Sequence, residues 1–403
     1  MIKLTDKSLC CGCAACAQIC PLQCIQMLQD ERGFVYPNAD ADKCSQCGRC
    51  DSVCPYKNLE TAVSPLQNVY VGQNKNSSTL RESTSGGVFS ALAETVICQG
   101  GAVFGAVLDD ELSVHHALVA DSESLRLFRG SKYVQSSIGS CYAQARELLK
   151  EGKSVLFSGT PCQIEGLLCY LGGKSDNLFL VDLVCRAVPS PLALDKYLEF
   201  RLGAKEKRHD YYLHFRDKGL GYEYPTFVLG KQSGEEVYRE GIDTDPYLRA
   251  FYSGIIIRPS CADCRFRSSN RRSDLTIWDC FDADRYPEAS AIDNGKGVTH
   301  ILVHTPKGGK LLKEASRSLN LFGVDAQKAI GSSKEMRLSP ALNEQSPAFF
   351  EELSSKRASH VYQKFYPKTP KTRLERFARR FFHKTGLYRA AKRVFLTISG
   401  FRR

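Results

Sequence analysis

The chain has 403 residues, of which 43% are hydrophobic and 25% are charged. This composition is typical of a globular protein with a sizeable core and argues against a disordered chain. The sequence contains no run of about 20 apolar residues, the length that a membrane span needs. The start MIKLTDKS lacks the apolar segment of a secretion signal. The sequence therefore predicts a cytoplasmic protein of two or three domains.

Ten of the 18 cysteines lie within the first 54 residues, in two runs of equal spacing. The runs are Cys10-x2-Cys13-x2-Cys16-x3-Cys20-Pro21 and Cys44-x2-Cys47-x2-Cys50-x3-Cys54-Pro55. Each matches the bacterial ferredoxin pattern, in which three cysteines of a run bind one cluster and the fourth binds the other. The sequence therefore predicts two [4Fe–4S] clusters. Their ligands would be Cys10, Cys13, Cys16 and Cys54 for one cluster, and Cys44, Cys47, Cys50 and Cys20 for the other.

Zinc is the alternative metal for these runs, because paired C-x2-C elements also bind zinc. A tetrahedral zinc ion uses four ligands and does not explain a duplicated set of eight, so iron–sulfur clusters are favoured. Cys11 and Cys24 fall outside the pattern and are interpreted as bystanders. Residues 1–60 are thus predicted to form an α+β, ferredoxin-like, two-cluster domain.

Strand-like and helix-like stretches alternate after a predicted linker that ends near residue 67. The segments NVYVGQN, GGAVFGAVLD, HHALVAD, SVLFSGT, NLFLVDLVC and GVTHILVHT have the composition of strands. GGVFSALAETVICQ, IGSCYAQARELLKEG and PSPLALDKYLEFRLG show helical periodicity. This alternation predicts an α/β core over residues 68–330, followed by an irregular or helical extension over 331–367.

Four further cysteines lie at informative places in this core. Cys162 follows a predicted strand, and Pro161 before it suits the first position of a helix. A helix start favours a thiolate at Cys162 because of the helix dipole. Cys185 ends another predicted strand, and Cys261 and Cys264 form a C-x2-C pair. From the residues alone the set is ambiguous, because Cys185 also fits a buried structural thiol and the pair also fits a redox or zinc site.

Several segments in this order resemble one known family. They are STSGGVFSALAE, RGSKYVQSS, VLFSGTPCQIEGL, VDLVCRAVPSP, FRDK and RPSCADCRF with the following SDLTIWD. They resemble the coenzyme-deazaflavin hydrogenase/dehydrogenase beta subunit family, which also includes plant hydroxymethyl-chlorophyll reductase. The resemblance covers about residues 1 to 305, with the ferredoxin domain fused at the front. It implies a flavoprotein core that binds FAD and carries a third [4Fe–4S] cluster near the flavin.

The resemblance also implies the residues that hold these groups. The third cluster would be bound by Cys162, Cys185, Cys261 and Cys264. The flavin contacts would come from two segments, Ser85, Gly86 and Gly87, and then Ser131, Lys132, Tyr133, Gln135 and Ser136. STSGG opens a predicted helix, so its N–H groups and hydroxyls suit an anionic diphosphate, although a simple helix cap is the alternative reading of SGG. Lys132 would neutralise a phosphate or the reduced flavin.

Two segments depart from the family pattern. Members often have Gly-Asp-aromatic-Trp-Gly where this chain has DLTIWDCFDADRYP, so Trp278 and Cys280 stand at unexpected places. Arg186 and Ala187 stand where many members have His-Gly. The substrate face is therefore expected to have diverged.

These features together predict an oxidoreductase. A cluster passes one electron at a time, whereas a flavin accepts one electron or a hydride, so the flavin converts between the two regimes. The clusters would take electrons from ferredoxin or another electron-carrier protein, and FAD would reduce or oxidise a small-molecule or glycan-type substrate. A deazaflavin-dependent enzyme and a non-catalytic electron-transfer subunit are the alternatives. No catalytic residue is assigned, although His300 and His304 share one strand face and histidine suits proton transfer.

The basic charge of the chain is concentrated in residues 368–403. This tail contains 12 Lys or Arg residues and one Glu, so its net charge of +11 equals that of the whole chain. The body thus has no basic field, and nucleic acid is not expected as a partner. Leu374, Phe377, Phe381 and Phe382 recur at helical spacing among the arginines, and an apolar component continues through Leu387, Tyr388, Val394, Phe395 and Leu396. The tail predicts a basic amphipathic helix that lies on an anionic membrane surface or, as the alternative, packs on its own domain.

Overall fold

The computed structural model describes residues 2–60, 68–203 and 206–387. Its strands are β1 Ile25–Gln29, β2 Val35–Ala39, β3 Asn68–Asn74, β4 Ala102–Leu108, β5 Val114–Val119, β6 Val155–Gly159, β7 Leu178–Leu183, β8 Tyr211–Asp217, β9 Thr226–Lys231, β10 Glu236–Gly241, β11 Leu275–Asp279, β12 Thr299–Val303 and β13 Leu319–Val324. Its α-helices are α1 Ala15–Ile19, α2 Arg49–Ser52, α3 Ser77–Glu82, α4 Val88–Cys98, α5 Cys141–Lys150, α6 Pro161–Leu171, α7 Pro191–Leu202, α8 Pro246–Tyr252, α9 Pro287–Ile292, α10 Pro306–Ala315, α11 Ala326–Ser332, α12 Ser346–Ser355, α13 Ala358–Phe365 and α14 Pro370–Lys384.

An eight-stranded mixed sheet forms the centre of the core, in the order β13-β3-β12-β11-β7-β6-β4-β5. The strands β4, β6, β7 and β11 run parallel, and the outer strands on both sides pair antiparallel with their neighbours. Successive side chains of a strand alternate between faces. On β4, Val103 packs with α4 and α10 on one face, while Phe104 packs with α5 and α6 on the other. The core is therefore a mixed α/β layer structure, as the alternating pattern predicted.

A second sheet of three antiparallel strands, in the order β10-β9-β8, was not predicted from the sequence. Its apolar side packs with α7, α8, α12 and α13 in one core cluster. The Tyr362 hydroxyl of α13 donates a 2.8 Å hydrogen bond to the Ala193 carbonyl of α7. The segment 331–367 thus contributes two helices to the packing of the core.

The N-terminal segment consists of the antiparallel pair β1–β2 and the short helices α1 and α2. It does not stand apart from the core, because Cys13, Ala15 and Val53 belong to the same buried cluster as the apolar side chains of α5 and α6. Gly166 lies at this contact. A Cβ added to Gly166 would lie 2.8 Å from the Cys13 Cβ and 2.9 Å from the Tyr142 hydroxyl oxygen. The close approach of α1 and α6 therefore requires a residue without a side chain.

The helix α14 lies within the basic tail, and residues 388–403 lie outside the described residues. Tyr388, Val394, Phe395 and Leu396 therefore stay untested as parts of an amphipathic helix. Arg376 of α14 forms an ion pair of 2.9 Å with Glu240. Among the helices that the structure describes, none has the length and apolar character needed to cross a membrane.

We expect Gly166→Ala to lower the melting temperature of the protein. The helical preference of Ala over Gly favours the variant by about 1 kcal/mol, but overpacking against Cys13 costs about 1–3 kcal/mol. Gly331→Ala in α11 is the matched control, because no atom lies within 4 Å of its added Cβ. Thermal unfolding checks both variants. Equal melting temperatures for the two would contradict the close approach of α1 and α6.

Candidate functional site

The four cysteines predicted for one N-terminal cluster meet in the structure. Cys20, Cys44, Cys47 and Cys50 line a common cavity. Cys24 lines the same cavity, and its sulfur lies 3.3 Å from that of Cys20. The Cys47 side chain is exposed. The fourth cysteine of the first run thus lies with the second run, as the crossed ligand pattern predicts.

The other N-terminal set lies deeper, at the contact with the core. Burial, with the neighbouring Cys10 and Cys54 thiols, raises the pKa of the Cys16 thiol to about 12. Burial also raises the pKa of Cys10, while the nearby Arg258 guanidinium opposes that shift. Cys13 is buried beside them. The pKa values of Cys10, Cys13 and Cys16 are raised, and such thiols become thiolates when cationic metal centres bind them.

The four cysteines implied for a third cluster come from separate parts of the fold and line one cavity. Cys162 lies in the first turn of α6, where Pro161 takes the predicted first position. Cys185 follows β7, and Cys261 and Cys264 lie between α8 and β11. Burial raises the pKa of Cys185 well above its usual value, and the Cys261, Cys162 and Cys264 thiols add to the shift. The structure therefore brings together the whole set that the resemblance implied.

Cys11 also lines this cavity, although its position in the sequence gave it no role. The neighbouring Cys13 thiol is the first cause of the raised pKa of Cys11, while the Cys162 thiol opposes that shift. Cys11 thus lies between the buried N-terminal set and the third cavity. In the sequence, only its position next to Cys10 suggested that Cys11 lies near a cluster.

Arg258 connects the N-terminal segment to the core and was missed by the sequence analysis. Its side chain is fully buried, with 0% exposure. Its guanidinium donates hydrogen bonds to the carbonyl of Cys10 at 2.8 Å, the carbonyl of Val35 at 3.0 Å and the side-chain oxygen of Gln135 at 3.0 Å. It lies 4.2 Å from the ring centre of Tyr36 and also lines the third cavity. Within the described residues no carboxylate forms an ion pair with it, so its charge suits anionic metal–thiolate groups.

The two segments implied for FAD meet at one point. The Ser131 N–H donates a 2.6 Å hydrogen bond to the Thr84 hydroxyl, next to Ser85. The Gly86 N–H donates to the Thr299 hydroxyl at 2.8 Å, and a Cβ on Gly86 would collide with the Gly72 carbonyl. This N–H is therefore used within the fold. The expectation that it holds a diphosphate is not supported by its geometry.

Two partly buried lysines beside this loop give a better fit to an anionic group. Burial lowers the pKa of Lys132 to about 7 and that of Lys218 to about 8. Lys132 donates to the carbonyls of Leu127 and Arg129 at 3.0 Å, and Lys218 donates to the Ser85 carbonyl at 3.0 Å. Neither ammonium group has a carboxylate within ion-pair distance in the described part of the chain. An anionic diphosphate would compensate both charges; Lys218 was not identified from the sequence.

The rest of the second segment leads from this loop toward Arg258. The Tyr133 carbonyl accepts a 2.7 Å hydrogen bond from the Tyr247 hydroxyl. Gln135 contacts Arg258, and the Ser136 hydroxyl accepts a 3.0 Å hydrogen bond from Gln163 of α6. Tyr133, Gln135 and Ser136 therefore form hydrogen bonds with other parts of the protein.

The two histidines considered for proton transfer are buried, His300 within β12 and His304 directly after it. His304 Nε2 lies 2.8 Å from the Thr276 hydroxyl, and burial lowers the pKa of His304 to about 3. The His300 ring stacks on Trp278 at 4.8 Å. Neither histidine lines the cysteine cavities described above.

Comparison with known proteins identifies the two parts of the chain. Residues 152–326 match the family described as the C terminus of the coenzyme F420 hydrogenase/dehydrogenase beta subunit, and residues 9–58 match the 4Fe-4S dicluster domain. Residues 152–326 therefore resemble the C-terminal part of this beta-subunit family, and residues 9–58 resemble a two-cluster iron–sulfur domain. The chain is an iron–sulfur protein of an oxidoreductase type, and the predicted resemblance is confirmed.

One solved structure with a similar chain is the F420-reducing [NiFe] hydrogenase complex from Methanosarcina barkeri. The alignment has 15% identity, covers 76% of this chain and 92% of that chain, and gives a TM-score of 0.44. A likeness at this level carries no conclusion about function. No curated protein is significantly similar to this chain.

We expect Arg258→Met to destabilise the protein and to lower the reduction potential of the neighbouring clusters. Each buried acceptor left unpaired costs about 1–3 kcal/mol. The potential falls because a nearby cation stabilises the more anionic reduced state. Arg258→Lys should lose stability but keep the potential, because lysine retains the charge without the planar set of donors.

Thermal unfolding and redox titration followed by electron paramagnetic resonance measure these two effects. Arg126→Met, at an exposed arginine, is the control. Unchanged potentials in the Arg258→Met variant would show that the Arg258 charge does not act on the clusters.

Proposed function

We propose that this chain is an iron–sulfur flavoprotein oxidoreductase. Electrons pass between ferredoxin-type clusters and FAD, and an organic substrate, of small-molecule or glycan type, is reduced or oxidised at the flavin. The observation that carries the proposal is an unbroken series of cysteine-lined sites that leads from the surface to the segment around Gln135.

The series begins at the exposed Cys47. Cys50 of the same set lies close enough to Cys16 of the buried set to raise the pKa of the Cys16 thiol. The buried set continues through Cys11, which lines the third cavity with Cys162 and whose pKa the Cys13 and Cys162 thiols shift. Each site therefore adjoins the next, which is the arrangement that stepwise electron transfer requires.

Arg258 ends the series on the flavin side. Its Nε donates to the Cys10 carbonyl, its Nη1 donates to the Gln135 side chain, and the residue also lines the third cavity. FAD, when bound, would supply the exchange between one-electron and hydride chemistry. Lys132 and Lys218 would compensate its phosphates. Tyr133, Gln135 and Ser136 would define the part of the site nearest the third cavity.

A carrier such as ferredoxin would dock where Cys47 is exposed, because that set lies nearest the surface. Two other functions follow from the same sites. A non-catalytic subunit would pass electrons to a partner enzyme, and a deazaflavin-dependent enzyme would exchange hydride with its coenzyme. An assay of the isolated chain separates the first of these from an enzyme.

We expect the anaerobically purified chain to contain about twelve irons and one FAD, since each cluster holds four irons. Reduced ferredoxin should bleach the flavin absorbance. Iron, sulfide and flavin analysis, followed by anaerobic spectroscopy, checks both results. A preparation without flavin, or with zinc in the third cavity, would contradict the proposal.

Matched variants of the full chain test the individual sites in the same preparation. Cys185→Ser should lose about four irons, whereas Cys98→Ser, at an exposed cysteine of α4, should lose none. Lys132→Met should weaken FAD binding by roughly 10- to 100-fold, the value of one charge-assisted contact, and Lys150→Met on α5 should not. Full iron content in Cys185→Ser would contradict the third cluster.

We also propose that α14 binds an anionic membrane surface. Leu374, Phe377 and Phe381 occupy one face of α14 and are more than half exposed. On another side, Arg376 pairs with Glu240, and Arg379 lies 5.8 Å from the ring centre of Tyr224. The body therefore holds α14 by its basic residues and leaves its apolar face outward, which suits insertion between lipid headgroups.

The intact protein should cosediment with vesicles that contain anionic lipid, and high salt should weaken binding because charge attraction is screened over about 10 Å at 0.1 M salt. Phe377→Ser with Phe381→Ser should weaken binding even at low salt, because the charge is unchanged while apolar insertion is lost. Leu338→Ser, at an exposed apolar residue outside α14, is the control. Binding that is indifferent to the Phe variants would contradict insertion of this face.

A further inference from the structure

Three side chains of metal-binding type meet at the end of strand β11, beside β12 and outside the cysteine cavities. They are Cys280, Asp282 and His300, here called the Cys280 cluster. The Cys280 sulfur, a carboxylate oxygen of Asp282 and a ring nitrogen of His300 all lie within 4.8 Å of one another. Cys280 and His300 are buried, and Asp282 is partly exposed. This segment is also where the chain departs from the family pattern.

The antiparallel pairing of β11 and β12 creates the cluster. The register places Trp278 opposite His300, so the chain leaves β11 beside the His300 ring. The Cys280 N–H then donates a 2.9 Å hydrogen bond to the Val298 carbonyl, which fixes Cys280 one step beyond the strand. Asp282 immediately precedes the short helical turn Ala283–Arg285. Two local structures therefore hold the three side chains.

Three polar atoms of the cluster lack hydrogen bonds, and the one bond within it, from the Cys280 thiol to Asp282 Oδ1, is long at 3.8 Å. Neither ring nitrogen of His300 makes a hydrogen bond of ordinary geometry, although the side chain is fully buried. Burial lowers the pKa of His300, and an interaction with the Asp279 backbone opposes that shift. The Oδ2 oxygen of Asp282 makes no hydrogen bond either, and its nearest cation is Arg285 at 4.0 Å. A buried polar group without a partner costs about 1–3 kcal/mol, so native structures rarely leave several of them together. One cation would satisfy both residues.

The His300 ring is held firmly in place. It stacks on Trp278 with ring centres 4.8 Å apart and meets the edge of Tyr286 at 5.5 Å. Val298 and Leu302 belong to the apolar cluster around it. Rings fixed in this way cannot rotate toward water, so the poorly partnered nitrogens are built into the fold.

We propose that the Cys280 cluster binds one zinc ion. One sulfur, one imidazole nitrogen and one carboxylate oxygen are the three ligand types that zinc takes in proteins. Calcium and magnesium prefer oxygen ligands alone, and a [4Fe–4S] cluster needs several thiolates. Three protein ligands leave a fourth tetrahedral position for water. Binding would release the Cys280 thiol proton to solvent.

This site goes beyond the proposed electron transfer, because zinc has no redox chemistry. The 18% exposure of the Asp282 side chain lets an ion reach the cluster from the surface. The residue before Cys280 is Asp279, which accepts a 2.8 Å hydrogen bond from the Tyr222 hydroxyl. Tyr222 in turn contacts Ser85 at 3.3 Å. Zinc at the Cys280 cluster would therefore fix the chain next to the STSGG loop.

The test uses the full chain, purified anaerobically and dialysed after incubation with zinc chloride. Elemental analysis should find one tightly bound zinc per chain in addition to iron. X-ray absorption at the zinc edge should show a single sulfur at about 2.3 Å with nitrogen and oxygen ligands at about 2.0–2.2 Å. Zinc should also raise the melting temperature, because it binds the folded state.

Cys280→Ser and Asp282→Asn should each weaken zinc binding by roughly 100-fold or more, since even loss of an outer-shell partner costs 10- to 100-fold. Cys98→Ser and Asp284→Asn, at exposed positions, are the matched controls. Unchanged iron and sulfide contents show that the variants fold. Absence of zinc, retention of zinc in both ligand variants, or a shell of four sulfurs would overturn the proposal, the last because zinc would then occupy a cysteine-lined cavity.

Discussion

The structure depends on one buried cation, the guanidinium of Arg258. A charge without water is costly unless hydrogen bonds and opposite charge surround it. Three acceptors from the N-terminal segment and from Gln135 provide the hydrogen bonds. No carboxylate in the described residues forms an ion pair with Arg258. The thiolates of metal-bound cysteines near Cys10 and in the third cavity would therefore supply the opposite charge. Docking of the N-terminal segment and loading of its clusters are therefore coupled through this side chain.

The helix α6 contacts the N-terminal segment and also carries Cys162 of the third cavity. Cys162 and Gly166 are four residues apart and so lie on one face of the helix. Gly166 allows Cys13 to approach, and the same face then directs Cys162 toward Cys11, two residues before Cys13. A single helix face thus sets the contact between the domains and the spacing between two cysteine sites.

Local patterns made the cysteine runs, most central strands and the start of α6 at Pro161 predictable from the sequence. Strand β3 has the bounds of the segment NVYVGQN. Arg258 was not predictable, because its partners Cys10 and Val35 are more than 200 residues away. The Cys280 cluster was missed for a similar reason: the register of β11 and β12 brings His300 to Cys280. The sheet β8–β10 was missed because its segments were not recognised as alternating strands.

The orientation of α14 follows from a single buried carboxylate. Glu240 forms ion pairs of 2.9 Å with both Lys368 and Arg376, so it fixes the chain just before the helix and again within it. A helix that packs on its own domain turns its apolar stripe inward. Because Glu240 attracts the basic side instead, Phe377 keeps 69% of its surface exposed. The contacts described between α14 and the rest of the protein involve its basic side and leave this apolar face uncovered. An exposed apolar face on a basic helix is stabilised by contact with another surface that is anionic.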